Sequence, residues 1–284
     1  MFSKSVVLGA LASTAAAGTV LWDGRFNSFT SSSDLDKWSW ANQVGPYQYY
    51  IHGSGATTEY VNLSPSYKNP ADTVSKQGVK ITIDGTSYWN GQTMRRTELI
   101  PQTTAPINSG KVFYHFSVSR TGTNPPSTLY EHQVNFFESH FTELKYGLIS
   151  GEQGTSDPSL RWDVQSQSKW NTTFDAGVWH NVAYGIDFTA GSVTLYHSTG
   201  SSPLQQTAGP FSASTSSNGA DWHLGVLRLP SSTGSTADSG AEDWLFSGVY
   251  VESGTLTTSV TGPASVNGPA ETEKLARRTK PFDA

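Results

Sequence analysis

Short runs of aromatic and β-branched residues alternate with clusters of Gly, Pro, Ser, Asn and Asp from Gly18 to about Gly254, and no window carries a helical period. That pattern restricts the chain to an all-β fold. In Gly78-Val79-Lys80-Ile81-Thr82-Ile83-Asp84 the apolar Val79, Ile81 and Ile83 point one way and Lys80 and Thr82 the other, so one face packs and one meets water. Runs of this kind predict strands over 19–22, 59–63, 78–83, 95–100, 111–119, 132–138, 144–150, 160–165, 178–187, 192–196, 223–229 and 244–252. So many strands in one chain predict two facing sheets, a β-jelly-roll or concanavalin-like sandwich whose bent sheet offers a concave groove long enough for a polymer.

Composition narrows the function. With 284 residues, 36% apolar and only 14% charged, the chain can bury a large core as one domain, expected over 18–257. The absence of cysteine excludes a disulfide scaffold, a thiolate zinc site and a cysteine nucleophile. Eighteen basic against 23 acidic residues give a net charge of −5, which offers no general attraction to nucleic acid or anionic lipid and points to a neutral partner. Lys4, the apolar run from Val6 to Ala12 and Ala15-Ala16-Ala17 read as a signal peptide over 1–17, too short to span a bilayer. The expected product is secreted and extracellular, soluble and monomeric, with sequons at Asn62 and Asn171 and a flexible C-terminal tail over 258–284.

No Gly-x-Ser-x-Gly elbow, His-Glu-x-x-His helix, phosphate loop or dinucleotide turn is present. Carboxylates, histidines and aromatics remain, the residue types that stack on sugar faces and cleave glycosidic bonds. Two windows concentrate them. In Tyr88-Trp89-Asn90-Gly91-Gln92-Thr93-Met94-Arg95-Arg96-Thr97-Glu98-Leu99-Ile100 a strand puts Met94, Arg96 and Glu98 on one face and Arg95, Thr97 and Leu99 on the other. Arg96 can orient the Glu98 carboxylate there, although the window by itself reads first as a surface ion pair.

The second window runs from Tyr130 to Glu143. Strict alternation puts Gln133 and Asn135 on one face and Val134, Phe136 and Glu138 on the apolar one, where a lone carboxylate is costly. Three outcomes are open: Glu138 is held neutral with a raised pKa, a bulge at Phe136-Phe137 turns it to the polar side, or the strand has ended and Glu138 is a solvated loop residue. His132 and His140 lie eight apart, which is no metal-ligand spacing, and neither a metal nor a cofactor is expected.

The block Met94-Arg95-Arg96-Thr97-Glu98-Leu99, the block from Tyr130 to Gly151 and the opening Val20-Leu21-Trp22-Asp23-Gly24-Arg25-Phe26 resemble fungal glycoside hydrolase family 131. That resemblance implies a secreted β-jelly-roll glucanase cutting β-1,3, β-1,6 and β-1,4 bonds, with catalytic glutamates at Glu98 and Glu138 and inversion as the outcome. Glu138 is then expected as the acid, its pKa raised by Phe136 and Phe137, and Glu98 as the base beside Arg96. Candidates for holding the β-glucan are Arg96, Tyr88, Trp89, Asn90, His132, Gln133, Asn135 and Lys145, chosen by proximity along the chain. Two other classes fit part of the pattern. Arg-Thr-Glu-Leu followed by Gln-Val-Asn resembles alginate-lyase motifs, with Ile100 and Asn135 where those have Arg and His, and a noncatalytic glucan-binding lectin would share the aromatics and the sandwich.

Overall fold

The structure, a computed structural model, describes residues 18–230 and 240–264. The expected signal segment lies outside the described residues, as does the tail from 265 onward. In chain order the strands are β1 (Thr19–Asp23), β2 (Tyr47–Ile51), β3 (Val61–Ser64), β4 (Gly78–Ile83), β5 (Arg95–Pro101), β6 (Lys111–Ser119), β7 (His132–Phe137) and β8 (Thr142–Tyr146). They continue with β9 (Ser159–Val164), β10 (Gln167–Thr173), β11 (His180–Asp187), β12 (Ser192–Thr199), β13 (Gln205–Ser212), β14 (Trp222–Arg228) and β15 (Glu242–Ser253). One sheet has the order β13-β12-β11-β6-β15-β4-β3, with β1 added on β15. The other has the order β10-β9-β8-β7-β14-β5-β2. The ladders are antiparallel throughout.

The inner faces meet in an aromatic core. Trp222 lies 5.1 Å from Tyr114 and 6.2 Å from Trp22, and Phe137 lies 5.2 Å from Tyr114. Val79, Ile81 and Ile83 are fully buried, as the alternation in β4 predicts. Each large aromatic removes roughly 150–250 Å² from water, which supplies the cohesion that disulfides would otherwise provide.

Three strands were not expected: β2, β10 and β13. The last two are sheet edges with polar, largely exposed residues, the composition that keeps an edge from pairing with another chain and also hides it from a hydrophobic pattern. The expected strand 59–63 starts instead as a helical turn, Thr57–Tyr60. β8 stops at Tyr146 rather than running to 150, because Gly147 takes φ +82° where a Cβ would meet the Tyr130 carbonyl. After Gly254 the chain stays on the body: Leu204 N donates to Thr258 O at 2.8 Å and Arg25 Nη1 to Pro263 O at 2.7 Å.

One irregularity positions the site. Alternation along β7 reverses at Asn135, which takes φ +48°, while Leu224 and Gly225 of β14 bulge opposite it between the pairs Val134↔Val226 and Phe136↔His223. Asn135 Oδ1 accepts from Gly225 N at 3.0 Å and closes the gap. Val134 and Phe137 therefore both reach the core, and Phe136 and the following Glu138 turn to the outer face of the seven-stranded sheet. Two of the three outcomes left open by the sequence are combined: β7 ends at Phe137 and Glu138 lies exposed in the turn that follows, and a bulge, at Asn135 rather than at Phe136-Phe137, has turned it to the outer face.

Candidate active site

β5 delivers Arg96 and Glu98 to the outer face and Thr97 and Leu99 to the interior, as its alternation requires. Glu98 is fully buried. Arg96 Nε and Nη2 donate to its Oε1 and Oε2 at 2.8 and 2.7 Å, a two-pronged clamp, and Arg96 Nη1 donates to Gln92 Oε1 at 3.1 Å. β14 adds His223, whose Nδ1 bonds Glu98 Oε2. The other ring nitrogen, Nε2, stands 3.1 Å from Glu138 Oε1, an ion-pair contact whose angle falls short of a straight hydrogen bond. Arg96 Nη2 also lies 3.7 Å from Glu138 Oε1. One imidazole and one guanidinium thus join an enclosed carboxylate to one whose side chain is 56% exposed.

The charges follow from that packing. Burial works against charging His223, but Glu98 and Glu138 outweigh it and hold the ring up at about 9, so it is an imidazolium at neutral pH. Glu138 moves the opposite way from the sequence expectation: contact with His223 first, then Arg96 and His140, brings it down to about 2. Phe137 faces the core and Phe136 stacks on His223 at 4.6 Å, so neither surrounds the carboxylate with apolar atoms. His140, at φ +50°, stacks on the other side of Phe136 at 5.4 Å and bonds Glu143 Oε2 through Nδ1 at 3.0 Å.

The remaining sequence candidates divide. Trp89 is half-buried beside Arg96, with the guanidinium 5.7 Å from its ring, and Gln133 sits on the outer face opposite Lys145. Tyr88 is half-buried and bridges to Arg95, and Asn90 is exposed in the turn at φ +49°. Asn135 is buried at the bulge. Lys145 is buried too, its Nζ 2.7 Å from Glu131 and 3.6 Å from Glu143. His132 is not at the site: it is enclosed between the sheets, with Nε2 2.6 Å from Glu242 and its ring 5.5 Å from Trp244. Proximity along the chain misplaced it, because alternation sends it inward next to the outward Gln133. His223 was missed, because its place beside both glutamates depends on the pairing of β14 with β5 and β7. Among the described residues no group of three or more His, Asp or Glu is arranged to hold a metal ion.

Residues 20–257 match the glycoside hydrolase 131 catalytic N-terminal domain. The chain belongs to glycoside hydrolase family 131. Two solved structures of this family resemble it closely. The GH131 β-glucanase catalytic domain from Podospora anserina is 66% identical, with a TM-score of 0.84 over 86% of this chain and all of that one. The family 131 catalytic domain from Coprinopsis cinerea is 49% identical, with a TM-score of 0.80 over 88% of this chain and all of that one. A search of curated protein sequences returned no match. Family 131 membership makes the chain an O-glycosyl hydrolase with a β-sandwich catalytic domain.

Proposed function

We propose that this family 131 domain is a secreted, monomeric hydrolase of neutral β-glucans, cutting β-1,3, β-1,6 and β-1,4 bonds with inversion through Glu98 and Glu138. The observation that carries the reading is that His223 contacts both carboxylates, Glu98 through Nδ1 and Glu138 through Nε2. An inverting turnover delivers a proton to the leaving oxygen from one carboxyl and takes one from the attacking water with the other, so the pair ends each cycle with its proton on the wrong member. An imidazole that bonds Glu98 and stands 3.1 Å from Glu138 lies on a direct path for its return. Glu138 is the exposed member and meets the sugar. Glu98, the enclosed member, exchanges its proton through His223, whose Nδ1 it bonds.

A second reading has its own support. Arg96 Nη2 touches both Glu98 Oε2 and Glu138 Oε1, at 2.7 and 3.7 Å, and these two legs cap the separation of the oxygens at about 6.4 Å. Carboxyl pairs in retaining enzymes stand about 5 Å apart, and an ionised, exposed Glu138 is suited to attack as a nucleophile. The test is to follow the anomers released from laminarin, from β-1,3/1,4-glucan and from cello-oligosaccharides by NMR, beside Glu98→Gln and Glu138→Gln variants. Inverted products with both variants inactive support the pair; retained products transfer Glu138 to the nucleophile role. Cleavage that survives both substitutions overturns both readings.

A further inference from the structure

Four aromatic rings lead from the two glutamates to the edge of the seven-stranded sheet. Trp89 lies over the Arg96 guanidinium at 5.7 Å, Tyr50 of β2 lies 5.8 Å from Trp89, and Trp38 stacks on Tyr50 at 5.6 Å. Trp40 completes the path, 5.0 Å from Trp38 and 5.1 Å from Tyr50. Tyr50 belongs electrically to the site as well: after burial, the charges of Glu138 and Glu98 are the main causes that raise its pKa, so its hydroxyl stays protonated beside the carboxylates.

Trp40 is 64% exposed, the most open large apolar side chain among the described residues. It is nevertheless held in place. It occupies the tip of a tight turn in which Ser39 and Asn42 exchange backbone hydrogen bonds of 3.0 and 2.9 Å, and Asn42 Nδ2 ties the turn to Lys37 O at 2.8 Å. Trp38 is pinned beneath it by a 3.0 Å bond from Nε1 to Gln102 Oε1. An indole that is ordered yet open to water gains little for the fold and presents a flat apolar surface to a ligand.

The opposite side of Glu138 has a different chemistry. There the outward positions of β8 and β9 pair Glu143 with Asp163 and Lys145 with Arg161; Lys145 contacts Glu131 and Glu143, and Arg161 contacts Glu152. Among the described residues the aromatic rings of β8 and β9, Tyr146 and Trp162, face the core and not that side.

We infer that Trp38, Trp40, Tyr50 and Trp89 form the stacking platform of the site, which holds pyranose rings of a neutral β-linked glucan on the β2 side of Glu138 and leaves the β8–β9 side without stacking subsites. The inference rests on the glucan-hydrolase reading for its ligand and goes beyond it in assigning the side and the residues. Pre-ordered rings bind without first losing rotamer freedom, so Trp40 contributes affinity in proportion to the ring it covers.

The test uses the Glu138→Gln chain, which holds substrate without turnover, titrated with cellohexaose and with laminarihexaose by calorimetry. Adding Trp40→Ala weakens binding of both by about tenfold, and Trp40→Phe restores most of it. In the otherwise unaltered enzyme, Trp40→Ala raises KM on the polymer more than it lowers kcat. Hexaose affinity unchanged by Trp40→Ala overturns the platform even if the enzyme cleaves glucan. Affinity that falls with Trp40→Ala in a protein that releases no reducing sugar upholds the platform and defeats the hydrolase reading instead.

Discussion

His223 Nε2 stands 3.1 Å from Glu138 Oε1, so an exposed carboxylate is set by a ring that the solvent does not reach. Replacing His223 by Gln or Ala removes the proton path between the glutamates and releases Glu138 from its low pKa. The expected loss is about 100-fold in kcat or more, the ordinary worth of a positioned acid–base group, with KM changed far less. The signs of the pH effects are fixed by the shifts. His223 is raised from 6.5 to about 9, so its contribution to stability is complete below pH 6.5 and is lost as pH climbs through about 9. Glu138 is lowered from 4.5 to about 2, so its contribution is present above pH 4.5 and is lost as pH falls through about 2. Activity profiles and thermal midpoints should share an alkaline decline near pH 9, and that shared limb should vanish in His223→Gln.

His132→Ala should harm stability and spare substrate affinity. The ring is enclosed, bonded to Glu242, which Arg228 also holds, and it lies under Trp244. Truncation takes one partner from a buried carboxylate and leaves a cavity, at a cost of about 2–4 kcal/mol. Chemical denaturation should reveal that loss while KM on glucan stays within about twofold. A large rise in KM with unaltered stability would return His132 to the substrate.

The architecture was legible because period-two patterning is strong where a strand packs one apolar face, as in β4. β10 and β13 were not, since a polar edge strand buries too little to leave a pattern. At the candidate site the shared face of Arg96 and Glu98 was legible from the alternation in the Arg-Thr-Glu window. The direction of Glu138 was not, because it depends on the bulge between Asn135 and Gly225, ninety residues apart in sequence. The tuning of Glu138 depends likewise on His223, and Trp38, Trp40 and Tyr50 precede the recognised motifs by dozens of residues. Non-local register decides all of these, and local alternation cannot supply it.

Gly225 should tolerate no side chain. Its φ is +150°, and a Cβ there would run into the Thr97 carbonyl and the Glu98 Cα on β5. Gly225→Ala must push β5 away or flatten the bulge, costing about 2–4 kcal/mol and moving the very residue that clamps Arg96 and His223. Melting should therefore occur at lower temperature and kcat should fall by about tenfold, in contrast to His132→Ala, which reaches only the first. If Gly225→Ala is as stable and active as the parent, the bulge does not position the site.

Asp163 should be a site where removing a charge strengthens the fold. It is buried on β9 directly opposite Glu143, and burial, with the repulsion of Glu143 and Glu131, outweighs Lys145 and Arg161 to raise its pKa to about 6. An acid whose pKa rises from 3.8 to about 6 on folding stabilises fully below pH 3.8 and loses that contribution as pH rises through about 6. At pH 7.5 the folded protein therefore carries a carboxylate it would hold more readily as an acid. Asn cannot ionise and has nearly the same shape. Asp163→Asn should raise the thermal midpoint at pH 7.5 by about 3–6 °C, equivalent to roughly 1–2 kcal/mol, and leave it nearly unchanged at pH 4. A lower midpoint at pH 7.5 would mean that the attraction of Lys145 and Arg161 exceeds the cost of burial, and Asp163 would then count among the ion pairs that hold β8 to β9.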